Sequence, residues 1–83
     1  MNLRKKLLIQ RLSHLESRMK FLEQVLGTLE ENLAKSLQDL HMIEDREKLM
    51  VLECLLVEFS ESAKAMDQAK AFKSQLEKEL HVA

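Results

Sequence analysis

Three histidines, one cysteine and fourteen carboxylates are the side chains here best suited to chemistry. Their spacing decides what they can do. Glu77 and His81 stand at i, i+4, as do His41 and Asp45, so each pair would share one face of a helix. A di-metal site in a helical bundle needs a Glu-x-x-His motif from each of two helices and further carboxylates from two more. Neither pair recurs in that doubled form, and His14 stands apart. Structural zinc sites draw on cysteines and histidines at short, paired spacing, and Cys54 is the lone thiol. As a nucleophile Cys54 would need a base and an electropositive pocket. Its neighbours are Glu53 and apolar residues, which makes it a small core or interface residue instead. The single glycine, Gly27, leaves no phosphate-cradling loop. The expectation is no catalytic residue, no metal ligand and no cofactor: a chain that is not an enzyme.

Charge narrows the partners. The formal net charge is −1, without the basic footprint of a nucleic-acid binder. The three phenylalanines are assigned to buried stripes, not to positions among the basic residues. The sign is nevertheless unevenly spread. Met1–Lys20 carries Arg4, Lys5, Lys6, Arg11, Arg18 and Lys20 against Glu16 alone, whereas residues 21–62 are strongly acidic. Arg4, Lys5, Lys6 and Arg11 form a candidate basic contact for an acidic partner or membrane headgroups. The plainer reading of these residues is a solvated helix face.

The elements that must position these residues are helices. The chain has no proline, tryptophan or tyrosine, and Leu, Glu, Lys, Ala, Gln and Met, which dominate it, are strong helix formers. A β-rich fold would need turn residues that are missing. From Leu8 the apolar residues Leu12, Leu15, Met19, Leu22, Leu26, Leu29 and Leu33 follow in steps of four and three, the heptad repeat of coiled-coil packing. Ser36 takes the next position, with Leu37 and Leu40 carrying the stripe onward. A second stripe is assigned to Leu49, Leu52, Leu56, Phe59, Ala63, Met66, Ala69, Phe72, Leu76 and Leu80.

Run antiparallel, the two stripes pair Leu33 with Leu52, Met19 with Met66 and Leu8 with Leu76. The predicted fold is all-α: one domain over residues 1–83, a helix at about 3–40, a bend at about 41–46 and a helix at about 46–81. Asp45 would cap the second helix and His41 would close the first. Two alternatives remain. Gly27-Thr28-Leu29-Glu30-Glu31 contains T-x-x-E, a capping-box pattern, which would break the first helix and, with a second break near Ser60 or Ser62, give a three-helix bundle. The chain could also form one uninterrupted helix.

A two-helix hairpin leaves apolar residues over. LMVLECLLVEF, residues 49–59, is interrupted only by Glu53 and Glu58. Leu37, Leu40, Ile43, Met50, Val51, Cys54, Leu55 and Val57 are the expected partner interface, since large exposed apolar patches mark interfaces. Met42 and Met50 would make that surface adaptable. The expected function is a helical adaptor or assembly subunit, forming a homodimer around a four-helix bundle or binding another helical protein through the 49–59 face. Parallel self-pairing would stack the basic starts together and is disfavoured.

A second reading is a small chaperone covering an aggregation-prone helical client. In size and helical content the chain is similar to the co-chaperones of type III secretion needle subunits. A third is a regulator with a basic N-terminal arm. The run at 49–59 is roughly half the length of a transmembrane helix. Leu7-Leu8-Ile9 is too short for a secretory signal, although the acid-free start would also suit a mitochondrial presequence. With a single cysteine, the expected location is cytoplasmic.

Overall fold

The computed structural model describes residues 2–38 and 46–82. Two helices, α1 (Leu3–Gln38) and α2 (Arg46–Val82), pack against each other along a rod of 64 × 15 × 14 Å. They run antiparallel, since Arg4 near the start of α1 shares a depression with Lys78, Glu79 and Val82 at the end of α2. The expected bend, apart from Arg46, lies outside the described residues, and so do His41, Asp45 and the interface candidates Leu40 and Ile43.

Local chemistry explains the start and the continuity of α1. Asn2 is its N-cap: the Arg4 backbone N–H donates to Asn2 Oδ1 at 3.1 Å and the Lys6 N–H to the Asn2 carbonyl at 3.2 Å. These bonds satisfy donors that a helix start would otherwise leave open. The helix then passes through Gly27-Thr28 without a break, so the three-helix alternative is not what forms. The Thr28 hydroxyl donates back to the Gln24 carbonyl at 3.0 Å. It is thus a mid-helix threonine bonded to the preceding turn, and not a cap reaching forward to Glu31. Gly27 is exposed, lacks a positive φ, and an added Cβ there would meet nothing within 4 Å.

On α1 the seam is the heptad stripe. Leu8, Leu22 and Leu29 are buried, and Leu12, Leu15, Met19, Leu26, Leu33 and Ser36 are half-buried. Leu37 is off the stripe and 58% exposed. On α2 the seam differs from the expected one. It runs Leu52, Leu55, Phe59, Ser62, Met66, Ala69, Lys73, Leu76, Leu80, all buried or half-buried, in alternating steps of three and four. Leu56 and Phe72, expected on it, are 51% and 61% exposed.

The physical reason is the period. Two helices in continuous contact follow a repeat of about 3.5 residues. The expected stripe took three successive three-residue steps from Ala63 to Phe72, which walk around the helix and off the seam. The real seam keeps the period and accepts two polar residues. Ser62 is small. Lys73 lays its stem along the seam and carries its ammonium outward, 3.7 Å from Glu16 Oε1 on α1 and 3.9 Å from Glu77 Oε1 one turn on.

Candidate functional site

Chemistry-bearing groups do not converge. His14 and His81 are exposed at different levels of the rod, and Glu77 is engaged by Lys73. Among the described residues, no three His, Cys, Asp or Glu side chains come together as metal ligands would. Cys54 is free and exposed, so it is not a core residue.

What the fold does assemble is surface. In the first half of α2, Met50, Cys54 and Val57 stand at i, i+4, i+7 and are all exposed. They lie opposite Leu52, Leu55 and Phe59, which face α1; at 100° per residue the two sets are roughly 170° apart. Val51 and Leu56 flank the outer stripe on either side, 55% and 51% exposed. The candidates Leu37, Met50, Val51, Cys54 and Val57 are therefore all at the surface, whereas Leu55 is half-buried on the seam and Leu56 takes its place outside. Glu47, Glu53, Glu58 and Glu61 rim this patch, so it is apolar with an acidic border.

A second surface, absent from the sequence-based expectation, lies toward the other end. Arg11, His14, Leu15 and Arg18 of α1 line a shallow groove with Phe72 and Leu76 of α2. Phe21 is also exposed, at 62%. Two of the three phenylalanines are thus outside the core, Phe72 in the company of basic residues. The signal was available. Phe72 sits one residue before the heptad position that Lys73 occupies, and Arg4, Arg11 and Arg18 repeat every seven residues along one flank of α1.

Arg4, Lys5, Lys6 and Arg11 are exposed, as a candidate contact requires. Arg4, Lys5 and Lys6 stand in the first turns of α1, where the helix dipole disfavours cations and no acid is present. The antiparallel fold offsets this, because the C-terminal end of α2 lies beside them, and Glu79 lines a depression with Arg4, Leu7 and Arg11.

Comparison with known proteins adds no relative: no family model, no curated protein and no solved structure matches the chain. Among the described residues, no helix is long and apolar enough to cross a membrane.

Proposed function

We propose that this chain is a non-enzymatic helical assembly protein that associates with another helical chain through the outer face of α2. The observation that carries this reading is the second apolar stripe, Met50, Cys54 and Val57, exposed opposite the seam and flanked by Val51 and Leu56. Apolar stripes at helical spacing exist to be covered. Total area agrees. The chain exposes 6927 Å², against about 5,100 Å² for a compact monomer of its mass. Only part of that surplus has to be covered, since a standard interface takes about 800 Å² from each partner. A bundle of four helices would cover the stripe.

Val57→Glu tests the reading. Residue 57 is off the seam, so helicity by circular dichroism should be retained while association seen by sedimentation velocity is lost. Unfolding of the variant, or unchanged association, would count against it. The chaperone reading uses the same face with an aggregation-prone client. It is separated by expressing the chain alone, since a client-dependent co-chaperone would be molten or insoluble and a self-assembling one well folded. The basic-arm reading predicts salt-sensitive binding to an acidic partner that is lost when Arg4, Lys5 and Lys6 become alanine.

A further inference from the structure

The outer stripe and the basic groove lie on one side of the molecule. Cys54 and Phe72 are eighteen residues apart, about five helical turns, so they share one side of α2, ~27 Å from each other along it. Glu58 and Glu61, one and two turns beyond Cys54, are exposed on that side. Around Phe72 stand Arg11, His14 and Arg18, brought there by α1. One end of this side is apolar and acidic, the other aromatic and basic, and the midpoint between them falls near Ala63.

We infer that the occupant of the α2 face is a second copy of this chain, laid antiparallel about a two-fold axis near residue 63. The inference rests on the assembly reading above and adds the partner and the register. In this arrangement Cys54 of each copy lies over the Phe72 groove of the other. Glu58 meets Arg18 of the opposing copy, and near the axis Glu61 of each copy lies beside Lys64 of the other. A two-fold contact is self-complementary, so both ends are matched at once and the assembly closes as a dimer. A parallel arrangement would set acid on acid and base on base along the full rod, which costs affinity and specificity. An antiparallel dimer centred on Cys54 would bring the Glu53 side chains of both copies together and leave Phe72 uncovered.

Charge exchange tests the register. One variant carries Arg18→Glu, the other Glu58→Lys. Both positions are exposed, and circular dichroism checks that each variant stays helical. Each alone should weaken dimerisation about tenfold or more. Mixing them should restore it, because both ends of the mixed dimer again set opposite charges together. A geometric readout stands beside it. In His14→Cys, the introduced thiol and Cys54 of one chain are too far apart to join, at roughly 25 Å along the rod against the under ~7 Å between Cα atoms that a disulfide needs. Mild oxidation should therefore give a covalent dimer, linking the introduced thiol of one copy to Cys54 of the other. The wild type should give none through Cys54 alone.

Failure of the mixture to recover, or a ready Cys54–Cys54 dimer in the wild type, would overturn the register. A wild type that stays monomeric at high micromolar concentration would overturn self-pairing. That last result leaves the α2 face free for a different helix, whereas a dimer indifferent to Val57→Glu removes the assembly reading itself.

Discussion

The two halves of α2 reverse the ordinary relation between apolar content and burial. The first half holds Leu49, Met50, Val51, Leu52, Cys54, Leu55, Leu56, Val57 and Phe59, yet none of them is fully buried. The second half is richer in lysine, glutamate, glutamine and alanine, yet it supplies Met66, Ala69 and Leu76 to the core. Burial in a helical pair is set by which positions the period turns toward the other helix, not by how apolar a stretch is. In the second half α1 covers Met66, Ala69 and Leu76, and only Phe72 and the terminal Val82 are left outside as large apolar side chains. In the first half Leu49, Leu52, Leu55 and Phe59 take the seam, and the rest are presented outward. The difference between the halves is the physical content of the claim that something else packs here.

Substitutions can break or sharpen that contrast. The largest effect is expected from Leu76→Ala in the poorer half. Removing a buried leucine costs about 2–5 kcal/mol, enough to abolish much of the helicity of a two-helix chain in a urea titration. Leu56→Ala in the richer half, measured at a concentration that keeps the chain monomeric, should cost less than about 0.5 kcal/mol, as exposed positions do. If the two costs come out equal, the contrast between the halves is wrong.

A smaller effect of opposite sign is expected at Lys73, the polar residue on the seam. Lys73→Leu gives up two surface ion pairs worth about 0–1 kcal/mol in all. It gains partial burial of a leucine, which is worth up to about 2 kcal/mol. The urea midpoint should rise; a fall would mean that the contacts to Glu16 and Glu77 matter more than their exposure suggests. The smallest effect is local. Gly27→Ala places a methyl in open space on an uninterrupted helix and should stabilise by up to about 1 kcal/mol. A loss there would mean that α1 needs flexibility at residue 27.

Much of this was legible in the residues. The α1 seam follows the heptad position by position as far as Ser36, because nearly every seam position is leucine and period and identity agree; Leu37, expected to carry the stripe onward, is one residue out of phase and exposed. On α2 they disagree. Leu56 and Phe72 are apolar but out of phase, while Ser62 and Lys73 are polar and in phase, and reading identity before period misplaced the seam. The same error hid the groove around Phe72, since a phenylalanine assigned to the core cannot be seen among arginines on the surface. The Asn2 cap was legible as a residue type that favours helix starts. At Gly27-Thr28 a local pattern competed with an unbroken phase, and the phase prevailed because a turn would have dislodged the leucines on both sides.

Cys54 stands at the centre of the outer stripe and reports directly on whether that stripe is covered. Its rate of labelling by a membrane-permeant maleimide, measured in the cells that make the protein before lysis, is the sharpest test. A covered face predicts slow labelling of the native chain, rising to the rate of an open thiol in Val57→Glu. Equal, fast labelling of both would mean that α2 faces bare solvent in its own surroundings, and the assembly role would fall with it.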